Sequence, residues 1–210
     1  CVGEELVVNG SIIVYGSLVL NRSVLRFVGF EDELIVNNNA LLVVDNSTIT
    51  GTNNYGIFTK HGSVTSIRNS RIENAGWRLL ETTQNQELYN QYLWPGPGYT
   101  RDLSVHGQGL EFNGTVLVFK NNEVVGVKSV RFYKPATIEN NEFSNFKHEA
   151  LALMPGSDGS IIRNNVFHDA WRLDREIVGV RLYPGVSDVE IYNNSFRMLP
   201  IAFLMANIPW

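Results

Sequence analysis

Short segments that alternate apolar and polar residues run along most of the chain. Segments such as SIIVYG, SLVLN, ALLVVDN and TVLVFKNN are rich in β-branched residues and end in turn residues, which is typical of short β-strands. No stretch sustains the 3.6-residue period of an amphipathic helix over a useful length. The pattern therefore predicts an all-β chain built from many short strands.

A polar pair, usually led by asparagine, recurs between these strands. It stands in IENNEF at 138–143, in IRNNVF at 162–167 and in IYNNSF at 191–196. The leading asparagine lies three residues before a Val, Ile or Phe, and successive copies are 19 to 29 residues apart, with one interval of 52. The series is Asn21, Asn46, Asn69, Asn121, Asn140, Asn164 and Asn193.

Strands this short, repeated about every 24 residues, predict a coil of parallel strands rather than a sandwich. Successive turns of such a coil lie ~4.8 Å apart, so equivalent asparagines stack on one another. We expect the leading asparagines to form a buried ladder in which each amide donates to one neighbour and accepts from the other. In IENNEF this prediction buries Asn140 and places Asn141 at the bend.

The I-x-N-N-x-F repeat resembles the repeats of right-handed parallel β-helix proteins of the pectin-lyase-like superfamily. These include the carbohydrate-binding and sugar-hydrolase (CASH) domains and NosD-like proteins. The resemblance covers residues 5–205 and is strongest over 117–205. It implies one all-β solenoid domain, residues 1–210, of about 8 turns, with residues 1–30 as N-terminal turns or cap. The superfamily contains lyases, hydrolases, epimerases and adhesins, so the resemblance leaves the activity open.

Residues 77–103 interrupt the repeat, and we expect them to form an inserted loop. The segment is rich in aromatic residues that could stack on sugar rings or anchor a protein partner. Alternatively, the rings cover a face of the coil. The aromatic binding candidates are Trp77, Tyr89, Tyr92, Trp94 and Tyr99.

A second group of binding candidates comes from aligning SVRFYKP, ALALMP and GVRLYP. Strand alternation places six apolar residues inward: Val130, Phe132, Leu151, Leu153, Val180 and Leu182. Arg131, Ala152 and Arg181 then stack on the outer face, beside Tyr133, Met154 and Tyr183. Arginines next to tyrosines suit an acidic polysaccharide, because guanidinium groups bind carboxylates and rings stack on sugars. The alternative is an ordinary solvated face.

Four polar residues form a candidate acid–base group: His148, His168, Asp169 and Arg172. Histidine beside a carboxylate suits proton transfer, and arginine can neutralise a substrate carboxylate. Polysaccharide lyases of the resembling fold have such groups, often with calcium. This chain lacks their recurring acidic clusters and the Tyr-Gly-x-Asp-Pro-His signature of the epimerases. These four residues therefore stay candidates and no residue is assigned as catalytic. No cofactor is predicted, and calcium is implied by the resemblance alone.

Composition narrows the choice of partners. A net charge of −4 and a pI near 5.6 argue against nucleic acid, and no apolar run reaches the ~18 residues of a transmembrane segment. Five sequons favour a secreted or cell-surface glycoprotein: Asn9, Asn21, Asn46, Asn113 and Asn193. We therefore favour an extracellular scaffold or module that binds a glycan or a surface protein, with homo-oligomer or filament formation as a further prediction. The alternative is a polysaccharide lyase or glycoside hydrolase.

Overall fold

Parallel strands account for the regular structure of the chain. The computed structural model describes residues 1–29, 32–52, 55–76, 109–171 and 177–205. These residues form 23 strands, β1 to β23, in three sheets, and the paired strands run parallel. The chain enters the three sheets in rotation, so each strand pairs with the strands three places before and after it.

Each sheet runs the length of the coil. The first sheet contains β1 (Glu5–Val8), β4 (Val24–Phe27), β7 (Thr48–Gly51), β10 (Arg71–Glu73), β13 (Glu123–Val125), β16 (Glu142–Ser144), β19 (Val166–His168) and β22 (Ser195–Arg197). The second contains β2 (Ile12–Val14), β5 (Asp32–Val36), β8 (Tyr55–Thr59), β11 (Gly109–Phe112), β14 (Ser129–Phe132), β17 (Glu149–Leu153), β20 (Val178–Leu182) and β23 (Ile201–Met205). The third contains β3 (Ser17–Asn21), β6 (Leu41–Asp45), β9 (Val64–Arg68), β12 (Thr115–Lys120), β15 (Thr137–Glu139), β18 (Ile161–Arg163) and β21 (Glu190–Tyr192).

Columns of equivalent apolar side chains fill the interior of the coil. Phe143, Phe167 and Phe196 stack with ring centroids 4.9 Å apart at each step and rings within 7° of parallel. The spacing matches the distance between neighbouring strands, so each turn adds one ring to the column. The six residues predicted to point inward on the second sheet are all buried. The all-β solenoid prediction is confirmed.

The polar pair forms the corner between the third and first sheets, but the roles of its two residues are the reverse of those predicted. The leading residue is not buried; it has a left-handed backbone with φ between 50° and 57°. Asparagine tolerates this conformation better than most residues, which explains why it recurs there. The predicted burial of Asn140 was therefore wrong. The left-handed residues are Arg22, Asn46, Asn69, Asn121, Asn140, Asn164 and Asn193.

The first copy of the pair is also shifted by one residue. Arg22, with φ 53°, occupies the left-handed position, and Asn21 lies in β3, paired with Asp45. Leu25 accordingly pairs with Ile49 in the core column. The predicted alignment of Asn21 with Asn46 was wrong because it took Val24, rather than Leu25, as the inward residue.

The second residue of each pair forms the ladder, which is buried except at its last member, the partly buried Asn194. Its members are Ser23, Ser47, Ser70, Asn122, Asn141, Asn165 and Asn194, and each of the first six donates its backbone N–H to the side-chain oxygen of the next member. The Asn141 side-chain amide also donates to Asn165 Oδ1 at 3.0 Å. The Asn165 amide in turn donates to the carbonyl of Ile138 at 2.9 Å. The buried ladder is thus one residue later than predicted. One step of the predicted pairing between leading residues is present on the exposed side, where the Asn121 amide donates to Asn69 Oδ1 at 3.0 Å.

Candidate functional site

The outer face of the second sheet gathers most of the candidate residues that the structure describes. Strand pairing places Arg131, Ala152 and Arg181 in one register, which confirms the predicted column. Tyr133 and Tyr183 follow β14 and β20 and are partly buried. Arg131 is only 1% exposed, so this column is not the simple solvated face that was the alternative.

A β-bulge brings a carboxylate to the same face. Ser129 pairs with Glu149, whereas Arg131 pairs with Ala152, so β17 contains one extra residue between these two pairs. Ala150 and Leu151 are consecutive, yet both pack in the hydrophobic core. The Glu149 side chain therefore does not follow the alternation of the strand and lies on the same face as Arg131. Bulges commonly redirect a side chain in this way. Glu149 reaches the arginine column as a result.

The carboxylate of Glu149 is the centre of a hydrogen-bonded cluster and is fully buried. Its Oε2 accepts from Ser129 Oγ at 2.8 Å and from Arg131 Nη2 at 3.1 Å. Its Oε1 accepts from Arg181 Nη1 at 3.0 Å and from Tyr183 OH at 2.6 Å. Four donors, three on β14 and β20 and one on the residue that follows β20, thus hold one carboxylate.

Electrostatics keep this carboxylate ionised. Burial opposes ionisation, but the nearby Arg131, His148 and Arg181 side chains outweigh it and hold the pKa of Glu149 well below its ordinary value. Burial likewise acts against the charged form of Arg131, yet Glu149 raises the pKa of that guanidinium. The pair is therefore ionised over the physiological pH range.

Two neighbours of the pair have shifted pKa values. Burial, followed by the charge of Arg131, lowers the pKa of Lys128 to about 8. Burial, followed by the charge of Glu149, raises the pKa of Tyr183. The Tyr183 hydroxyl is therefore protonated at neutral pH and acts as a donor to Glu149.

Some polar atoms of the cluster have no hydrogen-bond partner. Arg131 Nη1 and Arg181 Nε are buried and make no hydrogen bond. His148 Nδ1 lies 3.2 Å from Glu149 Oε2 but without hydrogen-bond geometry. Buried N–H groups are normally satisfied, so the two guanidinium groups retain unused capacity for an acceptor.

The family comparison agrees with the coil of strands. The model for the right-handed β-helix region matches residues 12–198. This chain belongs to the right-handed β-helix family. Searches of curated proteins and of solved structures gave no significant match. Membership in the β-helix family establishes the fold, and any function must be argued from the side chains.

His168 and Asp169 lie elsewhere on the β-helix, on its first sheet. His168 Nε2 is 2.8 Å from Glu142 Oε1, and His168 Nδ1 is 2.7 Å from Asp169 Oδ2. His148 instead lies beside Glu149 on the second sheet. The structure thus gives the two histidines different carboxylate partners, on different sheets, and does not assemble them into the predicted acid–base group.

The His168 contacts predict a pH dependence of stability. Burial acts against protonation, but the hydrogen bonds to Asp169 and Glu142 outweigh it and raise the pKa of His168 above 6.5. A raised folded-state pKa stabilises the fold fully below the unfolded value of 6.5 and progressively less as the pH rises through the folded value. Denaturant unfolding at a series of pH values should show this loss, and His168→Gln should abolish it. The exposed His61→Gln is the control; an unchanged pH profile in His168→Gln would contradict the assignment.

Several predicted site residues fall outside the described part of the β-helix. These are Trp77, Tyr89, Tyr92, Trp94, Tyr99 and Arg172. Among the sequons, Asn9, Asn46 and Asn193 are exposed, whereas Asn21 and Asn113 are partly buried. The glycosylation assignments stay predictions.

Sequence reasoning did not identify Glu149 as a central residue, and it missed Lys128 and Ser129. One signal was available: a polar pair spans the start of two equivalent strands, in KS at 128–129 and in HE at 148–149. However, if every second residue back from Leu153 is taken as inward, Glu149 is predicted to point into the core. The bulge that changes its direction cannot be seen in the alternation of one strand. The contact between Ser129 and Glu149 therefore required the strand register.

Two further features of the described residues bear on ligands and location. No group of three or more His, Cys, Asp or Glu in these ranges is arranged to hold a metal ion. Across the same ranges, no helix has the length and apolar character needed to cross a membrane.

Proposed function

We propose that this β-helix is an extracellular or cell-surface binding module that recognises an acidic polysaccharide on the outer face of its second sheet. The observation that carries the proposal is the arginine column, in which Arg131 and Arg181 share the buried Glu149. The sequons that place exposed asparagines on the surface, such as Asn46 and Asn193, support the location.

The accessible residues of the cluster would make the ligand contacts. The Arg181 side chain is 19% exposed, and its guanidinium carbon lies 5.7 Å from the Tyr183 ring centroid. A guanidinium fork suits a carboxylate, and a neighbouring ring suits the apolar face of a sugar. Arg131 and Glu149 are buried beneath Arg181 and act as positioning residues for its guanidinium group. Because four donors fix Glu149, Arg181 is oriented before the ligand arrives, which lowers the entropy cost of binding.

Binding measurements test the proposal. We expect a polyuronate to bind and an uncharged glucan of similar length to bind at least about tenfold more weakly, since the carboxylate contact is lost. Arg181→Gln should weaken polyuronate binding by a similar factor, as measured by calorimetry. Added salt should weaken binding further through screening.

The matched control is Arg163→Gln on the third sheet, whose arginine pairs with Glu139 at the surface. It removes the same charge from the chain and should leave polyuronate binding unchanged. Equal affinity for the neutral glucan, or equal loss in the two variants, would contradict the proposal.

A lyase is the second candidate, and one observation favours it. Lys128 has a pKa near 8 and lies in the field of Arg131 and Glu149, which suits a general base. In β-elimination its neutral amine would accept the proton from the carbon next to a uronate carboxylate. The glycosidic C–O bond on the following carbon would break as the double bond forms, and the leaving oxygen would take a proton from water. Hydrolysis fits less well, because the four donors to Glu149 and its lowered pKa make it a poor general acid.

An assay for unsaturated uronate products separates the two candidates. The binding module should form none from any polyuronate. If product appears and Lys128→Met abolishes it while polyuronate still binds, the chain is a lyase and the non-catalytic proposal is wrong.

A further inference from the structure

We infer that Asn9 is a site of spontaneous chemical modification, at which the side-chain amide becomes a carboxylate, and that the fold protects Asn113 from the same reaction. The chain contains two Asn-Gly steps, at 9–10 and at 113–114, and both lie within the described ranges. The inference follows from the contrast between their surroundings and does not depend on the proposed binding site.

The reaction joins a backbone nitrogen to the side chain of the preceding asparagine. The nitrogen attacks the side-chain Cγ, a C–N bond forms, and the amide nitrogen leaves as ammonia with the proton that the backbone nitrogen gives up. Water, the only co-reactant, then opens the five-membered imide at either carbonyl group and yields aspartate or isoaspartate. Glycine favours the attack because it has no Cβ to obstruct the approach, and asparagine is a thermally labile residue.

The Asn9-Gly10 step lies in the turn between β1 and β2, and its backbone is open. Asn9 is exposed, and Gly10 has φ 127° with no atom of the described residues within 4 Å of an added Cβ. The Gly10 N–H makes no hydrogen bond to any described residue. Its nitrogen is therefore free to lose the proton and to rotate toward the Asn9 side chain.

The Asn113-Gly114 step is held by its neighbours. The Asn113 N–H donates to the Thr59 carbonyl at 3.1 Å, and the Gly114 N–H donates to Thr59 Oγ1 at 3.1 Å. Gly114 is buried, and a Cβ there would collide with Ser63 Oγ and lie 2.6 Å from the Ser63 carbonyl oxygen. The nitrogen is thus hydrogen-bonded, and the peptide is packed too closely to rotate. Both features suppress the reaction at Asn113.

A carboxylate formed at position 9 would meet an existing one. A Cβ added at Gly29 would lie 2.8 Å from Asn9 Oδ1 and 2.5 Å from each carboxylate oxygen of Asp32, so the two side chains face the same glycine. Asp32 is 5% exposed and accepts from the Gly29 N–H at 2.8 Å. Like charges this close repel, most strongly where burial limits screening. Modification of Asn9 should therefore destabilise the first turns of the coil.

Modification also removes a predicted glycosylation site. Asn9, Gly10 and Ser11 form a sequon, and a glycan would be attached to the same side-chain amide that the reaction destroys. Once Asn9 has become aspartate it cannot be glycosylated. The two changes are therefore mutually exclusive at this residue.

Peptide mapping by mass spectrometry tests the inference. The folded chain, produced without glycans, is incubated at mildly alkaline pH and digested after increasing times. The peptide with Asn9 should gain the mass that replaces NH2 by OH, and chromatography should separate its aspartate and isoaspartate forms. The peptide with Asn113 should react at least about tenfold more slowly, because opening that step breaks a buried hydrogen bond. Asn9→Gln should remove the product from the first peptide only.

Incubation in urea is the matched control for the effect of the fold. Both steps are released in the unfolded chain, so their rates should become similar. Equal rates at Asn9 and Asn113 in the folded chain, or an Asn9 that reacts only in urea, would overturn the inference. If Asn113 stays intact in urea as well, the fold is not what protects it and that half of the inference is wrong.

Asn9→Asp supplies the aspartate product for stability measurements. It should lower the urea midpoint of unfolding at neutral pH, because it places a carboxylate beside Asp32. In the Asp32→Asn background the same change should lower the midpoint less, since the second charge is then absent. An equal loss in both backgrounds would contradict the repulsion between positions 9 and 32.

Discussion

Replacing Glu149 with alanine is expected to lower the free energy of unfolding by about 3–5 kcal/mol, because it leaves a buried arginine without its counter-ion. Arg131 is 1% exposed and Glu149 is fully buried. The Ser129 hydroxyl and the Tyr183 hydroxyl would also lose their acceptor. Urea denaturation of the unmodified and variant chains measures the difference.

Glu5→Ala provides the matched control for this loss. Glu5 also pairs with an arginine, Arg26, at 2.7 Å, but both side chains are more than 40% exposed. Exposed pairs contribute only about 0–1 kcal/mol, so the control should unfold almost like the unmodified chain. Similar losses in Glu5→Ala and Glu149→Ala would contradict the claim that burial makes the Glu149 cluster costly to break.

The pH dependence of the same variant provides an independent check. The folded-state pKa of Glu149 lies well below 4.5, so its contribution is present above the unfolded value and is lost as the pH falls through the folded one. The unmodified chain should therefore lose more stability on acidification than Glu149→Ala. A double variant, Glu149→Ala with Arg131→Met, should recover part of the loss, since no buried guanidinium is then left unpaired.

Replacing Asn165 with leucine is the second change with a large expected effect. Asn165 is fully buried, and its Oδ1 accepts from the Asn141 backbone N–H at 2.9 Å and from the Asn141 amide at 3.0 Å. Its own amide donates to the Ile138 carbonyl at 2.9 Å. Leucine would leave these groups unpaired in the interior, at about 1–3 kcal/mol for each. The midpoint of thermal or urea unfolding measures the loss.

The neighbouring asparagine is the control for Asn165. Asn164 is exposed and has φ 57°, a conformation that glycine adopts freely. Asn164→Gly should therefore change the free energy of unfolding by less than about 1 kcal/mol, through the greater freedom of the unfolded chain. If Asn164→Gly were the more damaging change, the ladder would belong to the leading residue after all.

The two residues of each pair illustrate what the sequence pattern predicts and where it stops. Repetition indicated a coil, a turn at each pair and an apolar column three residues on, and the structure contains all three. The pattern did not distinguish the exposed from the buried asparagine. Both are polar and adjacent, and only the backbone conformation decides which side chain turns inward: a left-handed residue at Asn140 directs Asn141 into the interior.

Part of the candidate site could likewise be predicted from the sequence, and part could not. Period-two alternation along each strand was sufficient to place Arg131 and Arg181 in one outer column and to bury Val130 and Leu182. These are properties of the local sequence, because side chains of a strand point alternately to its two faces. The arginine column, the coil and its corners could therefore be inferred from the chain alone.

The position of the Glu149 carboxylate, at the centre of the arginine column, was decided by tertiary structure. Alternation counted from Leu153 would turn Glu149 into the core, and only the pairing of β17 with β14 shows the extra residue that releases it. A bulge is defined by two strands about twenty residues apart, so neither strand contains it alone. The local sequence therefore determined the fold and the outward direction of the two arginines. The register between turns, which joins strands far apart in the chain, determined that Arg131, Arg181 and Tyr183 share one buried carboxylate.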